Sequence, residues 1–160
     1  MSRAPEPKLS HYDAQGRAAM VDVSAKQATR RTATASAFVE LSAAVLAALP
    51  ANPKGDPLEV ARIAGIQAAK RTAELIPMCH PLPLTHLDVR AEIAEGGIRI
   101  EASAATTGQT GVEMEAMTAA AVAALTVYDM TKALDKAIVI RDVRLERKSG
   151  GKSGEFTRGS

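Results

Sequence analysis

Apolar and polar positions alternate from Arg31 to Leu41, with Ala33, Ala35, Ala37, Val39 and Leu41 on one face and Thr32, Thr34, Ser36 and Glu40 on the other. A period of two predicts a half-buried strand. Ser42 can cap a short helix through Leu49, which Pro50 stops. The turn ANPKGDP leads to Asp56-Pro57-Leu58-Glu59, which supplies a cap, a proline at the first helical position and an acid in the first turn. These signals predict a helix from about Pro57 to Ile76, ending before Pro77. Pro77, Pro81 and Pro83 make the next stretch stiff and extended, and His80 and Leu82, each preceding a proline, are biased away from helix. A hairpin follows. Leu87, Val89, Ala91 and Ile93 alternate with Asp88, Arg90 and Glu92, Gly96-Gly97 supplies a two-residue turn, and Ile98, Ile100 and Ala102 alternate with Arg99, Glu101 and Ser103. A last strand spans Ile138 to Arg147, where the apolar phase shifts between Ile140 and Val143 and predicts a bulge near Arg141-Asp142.

Between the hairpin and that last strand the pattern changes. Thr110 and Glu113 have the spacing of a capping box, so a helix is expected from Val112 to about Leu134, roughly 35 Å long at ~1.5 Å per residue. Thirteen residues, Ala116 to Tyr128, carry no charge. A helix apolar around its circumference is normally buried on all sides, and this run falls short of the ~18–20 residues that cross a bilayer. It is expected to be a core or interface helix whose chemistry lies at its ends.

The order β-α-α-β-β-α-β predicts an α+β fold: a ferredoxin-like antiparallel four-stranded sheet with helices on one face plus an extra short helix. One domain over residues 1–160 is expected, with flexible arms at about 1–20 and 148–160, because Pro5, Pro7 and Gly16 interrupt the start and KSGGKSGEFTRGS is too glycine- and serine-rich to pack. Burying an all-round apolar helix in a two-layer monomer is difficult, so association through that helix is expected.

Composition narrows the function classes. The formal charge is +2 and only Tyr12, Phe38, Tyr128 and Phe156 are aromatic, which argues against a nucleic-acid partner. Cys79 is the single cysteine, which excludes an internal disulfide and fits a reducing compartment. The first residues contain no apolar run resembling a signal peptide, so a cytoplasmic protein without a membrane partner is the expectation.

Groups suited to chemistry cluster at the ends of the long helix. Glu113 and Glu115 lie in its first turns, where acids complement the helix dipole. Asp129 opposes the dipole at the other end, and Lys132 is on the same face three residues on. That ammonium would keep the aspartate ionised, as a general base requires. Glu115 and Asp129 are separated by about 21 Å of helix at ~1.5 Å per residue, so one pocket using both needs a second subunit. Cys79-His80 lacks zinc-ligand spacing, and His11 and His86 form no motif with it, so no metal site is expected. Lys54 sits in a glycine loop beside a helix N-terminus, a setting that attracts phosphate. GGKSG resembles part of a phosphate-binding P-loop, but Glu146 stands where its first glycine is needed. The residues alone reach an α+β oligomer suited to an anionic metabolite, and a non-catalytic module binding a phosphorylated metabolite stays open.

Longer strings go further. MVDVS at Met20 to Ser24, ARIAGIQAAKRT at Ala61 to Thr72, ELIPMCHPLPL at Glu74 to Leu84, TGQTGVEMEAMTAAAVAALTVYDMTKA at Thr107 to Ala133 and KSGGKSG at Lys148 to Gly154 resemble the molybdenum cofactor biosynthesis protein C family, the cyclic pyranopterin monophosphate synthases. The resemblance covers nearly the whole chain and implies a lyase that converts 3′,8-cyclo-7,8-dihydroguanosine 5′-triphosphate to cyclic pyranopterin monophosphate and pyrophosphate, without a redox cofactor. It also implies a homohexamer, a trimer of dimers, with active sites between subunits. By position it makes Asp129 the catalytic acid/base, Lys132 its partner and Lys54 a catalytic lysine. Met78, Cys79, His80, Glu113, Met114 and Glu115 match substrate-contacting segments, and Arg31, Lys70 and Lys152 match triphosphate contacts. Thr131 stands where family members often have cysteine, and Met78 where they often have leucine.

Overall fold

In the computed structural model, which describes residues 11–152 and 154–159, the alternating segment forms the central strand β1 (Thr29–Glu40). Its inward residues Ala33, Ala35, Ala37 and Val39 are all buried. The following elements are α1 (Ala43–Ala48), a 3-10 turn over Leu49–Ala51, α2 (Pro57–Lys70), α3 (Thr72–Leu75), β2 (Leu84–Ala94), β3 (Gly97–Gly108), α4 (Glu113–Thr131), β4 (Val139–Ser149) and β5 (Phe156–Thr157). The strands form one sheet in the order β2-β3-β1-β4-β5, with every neighbouring pair antiparallel. The first four are in ferredoxin-like order.

The expected four-stranded sheet thus gains a fifth strand. β5 pairs through Thr157 with Arg147 and Phe156 with Lys148, and Arg158 donates to the Leu145 carbonyl at 2.8 Å. The glycines of the tail make the reversal that returns the chain to the sheet edge. Gly150 and Gly151 have φ of 98° and 75°, in the left-handed region that favours glycine.

β1 pairs with β3 in unbroken register from Thr29↔Gly108 to Glu40↔Gly97. Against β4 the register shifts twice, because Ser36 faces Arg144 while Phe38 faces Arg141, and Thr34 faces Arg147 while Ala35 faces Leu145. The expected bulge lies at the first shift, where Asp142 has φ 59°. The β2–β3 turn differs by one residue from expectation. Ala94 pairs with Gly97, so Glu95-Gly96 makes the turn and Gly97 opens the strand. A Cβ on Gly97 would stand 2.0 Å from the Val39 carbonyl oxygen.

The helix expected to run from Pro57 to Ile76 stops at Lys70, turns at Arg71 (φ −110°, ψ 13°) and restarts as α3. Buried Thr72 donates its hydroxyl to the carbonyl of Ala69 at 3.0 Å, and such back-bonding competes with the regular ladder. α4 runs from Glu113 to Thr131 rather than Val112 to Leu134, and the capping box does not form: Val112 is the N-cap and no side chain bonds there. With Val112 as N-cap the helix enters two residues later than a Thr110 cap requires.

α2 and α4 pack together, and Gly65 of α2 faces α4 at close range. A Cβ there would meet the Ala119 carbonyl oxygen at 2.9 Å and Ala123 Cβ at 3.3 Å. Ala116, Ala119, Ala120, Ala123, Ala124 and Val127 fill the helix–sheet core with Val39, Val89, Ile98 and Ile100. Within one chain α4 is not buried on all sides. Met114 and Leu125 are 36% and 56% exposed, and Met117, Ala121, Val122 and Tyr128 are half-buried.

Candidate active site

Two groups of side chains stand at opposite ends of α4. At the C-terminal end, Asn52 accepts from the Lys54 backbone N–H at 2.9 Å and donates its side-chain amide to the Met130 carbonyl at 2.8 Å. That carbonyl belongs to the last turn of the helix, which lacks intrahelical donors. Asn52 therefore ties the loop to the helix end, and Gly55 (φ 98°) lets the chain reverse toward Asp56, whose carboxylate accepts from the Leu58 N–H at 2.9 Å and caps α2.

Held this way, Lys54 reaches Asp129. Its Nζ lies 3.1 Å from the Asp129 carbonyl oxygen and 3.5 Å from Oδ2. Lys132 Nζ is 2.6 Å from Oδ1. The hydrogen bond and charge of Lys132, with the charge of Lys54, hold the Asp129 carboxyl below the usual carboxylate range. Asp129 in turn, by the same hydrogen bond, raises Lys132 above the usual lysine range. Both remain charged near neutrality, so a base and a proton donor stand side by side with a second ammonium next to them. Two cations at a helix C-terminus also offset the aspartate's unfavourable interaction with the dipole.

At the N-terminal end, a cleft of about 360 Å³ is lined by Met78, Cys79 and His80 from the proline-rich segment, Glu113, Met114 and Glu115 from α4, and His11, Val21, Val23 and Lys26 from the N-terminal arm. Prolines keep 77–83 out of regular structure, and the Cys79 N–H bonds the Ile76 carbonyl at 3.1 Å, turning the segment toward the start of α4. The two glutamates differ. Glu113 pairs with Lys148 of β4 at 3.0 Å and folds back over Gly111, where a Cβ would meet its Oε2. Glu115 is 4% exposed. Burial first, and the charge of Glu113 after it, push its carboxyl above the usual range. Burial, helped by Glu115, also pushes the Cys79 thiol up, which makes a thiolate nucleophile unfavourable there.

The structure thus gathers all nine residues expected at the ends of α4 and in the two loops into two sets, Lys54, Asp129 and Lys132 in one and Met78, Cys79, His80, Glu113, Met114 and Glu115 in the other. Within one chain it does not join them. The three expected triphosphate cations are more scattered. The Arg31 guanidinium donates to the carbonyls of Gly108 at 3.1 Å and Gln109 at 3.2 Å, and a Cβ on Gly151 would collide with it, so Arg31 joins the α4 entry to the tail. Lys70 is exposed in the last turn of α2, and Lys152 is exposed beside Gly151.

Sequence reasoning missed Asn52, Lys148 and the arm residues His11, Val21, Val23 and Lys26. Asn52 had a signal, the turn-forming NPKGD. The arm also had one: Asp13 followed by Gly16 is a turn pattern, and Asp13 accepts from the N–H groups of Gln15 and Arg17 at 2.9 Å each. Among the described residues no cluster of three or more His, Cys, Asp or Glu side chains is arranged to hold a metal ion, and no helix is long and apolar enough to cross a membrane.

Comparison with known proteins places this geometry in context. Residues 20–151 match the model of the MoaC family. Proteins named cyclic pyranopterin monophosphate synthase are similar over most of their length: one from Oleidesulfovibrio alaskensis is 60% identical over 152 residues, 92% of this chain and 96% of its own. One from Dinoroseobacter shibae is 55% identical over the same shares, and one from Streptomyces coelicolor is 53% identical over 96% of this chain and 92% of its own.

Proposed function

The chain belongs to the MoaC family, and from that premise we propose that it is a cyclic pyranopterin monophosphate synthase, a lyase of molybdenum cofactor biosynthesis. Its substrate is the cyclised dihydro-GTP that the sequence resemblance implies. The observation that carries the reading is the cluster in which Lys54 and Lys132 both engage the Asp129 carboxylate, across a sequence separation of 75 residues in the first case. A non-catalytic binding module gives no reason for two lysines, one of them from a distant loop, to converge on a single carboxylate.

In this reading Asp129 takes protons and Lys132 or Lys54 returns them while the purine ring opens and the pterin closes. A ribose hydroxyl then attacks the α-phosphorus. The new P–O bond forms as the α–β P–O bond breaks, the hydroxyl proton passes to a base, and pyrophosphate leaves against nearby ammonium groups. Arg31, Lys70 and Lys152 are the further cations we assign to the triphosphate.

The separation of the two clusters supports a site completed by a second subunit. About 21 Å of helix, at ~1.5 Å per residue, divides Glu115 from Asp129, and the apolar stripe of exposed Met114 and Leu125 with half-buried Ala121 between them offers a face for association. We assign the chain a homohexamer, a trimer of dimers, in the cytoplasm.

The test is pyrophosphate release from cyclised dihydro-GTP, with a product that oxidises to a fluorescent pterin. Asp129→Asn should fold and bind but not turn over; near-wild-type rates would refute the assignment. Mixing inactive Asp129→Asn and His80→Ala chains should restore part of the activity if one site draws on two subunits. No recovery in verified mixed oligomers would place each site within one chain.

A further inference from the structure

The N-terminal arm holds a histidine that neither the fold nor the mechanism above uses. Residues 11–19 form a small hairpin. Asp13 accepts from the backbone N–H groups of Gln15 and Arg17 and from Arg17 Nε at 2.8 Å. The Gly16 N–H bonds the Asp13 carbonyl at 3.0 Å, the Asp13 N–H bonds the Arg17 carbonyl at 2.9 Å, and the Ala19 N–H bonds the His11 carbonyl at 2.9 Å. Tyr12 and Ala18 form an antiparallel bridge. The hairpin is therefore tied at its tip and at its open end, and His11 is fixed where the chain enters it.

Two features set His11 apart. Its φ is 70°, in the left-handed region that costs a residue with a Cβ and that persists where surrounding contacts impose it, often at ligand sites. Its Nδ1 is buried and has no hydrogen-bond partner among the described residues, whereas buried polar atoms are nearly always paired. The residue lines the cleft with Cys79, His80, Glu113 and Glu115. An imidazole nitrogen can donate or accept, and the carboxyl groups beside it are poor company for a polyphosphate but good acceptors for N–H groups.

We propose that His11 is a substrate-contacting residue of this cleft, its imidazole hydrogen-bonding the nitrogen heterocycle of the bound nucleotide-derived substrate and so positioning the ring against α4. The assignment rests on the cleft being part of the substrate site. The tied hairpin holds the His11 backbone at the cleft before binding, which removes part of the ordering cost.

The variants that test it keep the backbone at ease, since glycine and asparagine both accept a left-handed φ. In the full-length protein, H11G should raise KM for cyclised dihydro-GTP about tenfold, the scale of one lost hydrogen bond to a ligand, with kcat changed much less and the thermal midpoint unchanged. H11N, which keeps a polar group, should recover part of that loss. Binding of inorganic triphosphate should be the same in H11G and wild type. Wild-type KM in H11G overturns the proposal. So does a lowered midpoint matching the loss of affinity, which makes His11 structural, or an equal loss of triphosphate binding, which moves the contact to the phosphates. A wild-type protein that neither binds nor converts the substrate overturns the functional reading, and this assignment with it.

Discussion

The side-chain amide of Asn52 donates to the Met130 carbonyl at 2.8 Å, and through that bond the position of Lys54 is set by the end of α4. The loop carries its own bond from the Lys54 N–H to Asn52 Oδ1 at 2.9 Å, so one residue orients the lysine locally and fastens it to the helix. Asn52→Ala should therefore lower kcat by about 10- to 100-fold, the scale of a misplaced catalytic group, while costing only about 1 kcal/mol of stability. Steady-state rates beside a thermal melt separate the two, and an unchanged kcat would show that Lys54 does not depend on this tie.

The Asp129–Lys132 pair makes a pH prediction. Lys132 and Lys54 depress the Asp129 pKa in the folded chain, so this carboxylate's contribution is present above its unfolded value of about 3.9 and is lost as pH falls through the lower folded value. Asp129 raises the Lys132 pKa, so that contribution is full below about 10.4 and is lost as pH rises through the higher folded value. The pair stays intact across the neutral range, and kcat limited by it should be flat between about pH 5 and 9. In Asp129→Asn, Lys132 should titrate nearer an ordinary lysine, measurable by NMR of its side chain.

Glu115 should behave in the opposite sense. Burial raises its folded pKa, so relative to the unfolded chain the protonated form is favoured, and that stabilisation, complete below about 4.3, disappears as pH rises through the folded value. Glu115→Gln, which keeps the shape without the charge, should raise the thermal midpoint near pH 8 and leave it nearly unchanged near pH 4. Equal shifts at both pH values would show that ionisation is not the cause.

Gly65 tests the packing that carries both clusters. Its absent Cβ would press on the Ala119 carbonyl oxygen at 2.9 Å and on Val89 Cγ1 at 3.2 Å, between α4 and the sheet. Gly65→Ala gains helix propensity of up to about 1 kcal/mol but overpacks a contact that costs about 1–3 kcal/mol. A net loss is expected, read as a lower denaturation midpoint with an unchanged slope in urea.

Much of this was legible along the chain. Alternation marked β1 and the hairpin because a strand with one buried face must repeat every second residue, and Ala33, Ala35, Ala37 and Val39 do so. Asp56-Pro57 marked the start of α2 because cap and proline act within one turn. The pairing of Asp129 with Lys132 could be read from their spacing, as three residues on a helix bring side chains together. Residue strings identified the family and the loops that carry the expected site residues.

What tertiary structure decided were the matters that depend on partners distant in sequence. Glu113 was expected to close a capping box by accepting from the Thr110 backbone N–H, and it instead pairs with Lys148 on β4, a charge 35 positions away that no local pattern announces. Arg31, which we assign to the triphosphate, is also held by the carbonyls of Gly108 and Gln109 before α4, contacts that no local pattern signals. Phe156 and Thr157 looked too glycine-flanked to pack, yet a free sheet edge with unpaired backbone groups received them. Local pattern determined which residues lie in strands and helices and which face the core, because those choices are made within a few residues. The company of each charged side chain, and the separation of Asp129 from the Glu115 cleft by the length of α4, were set by how the elements pack.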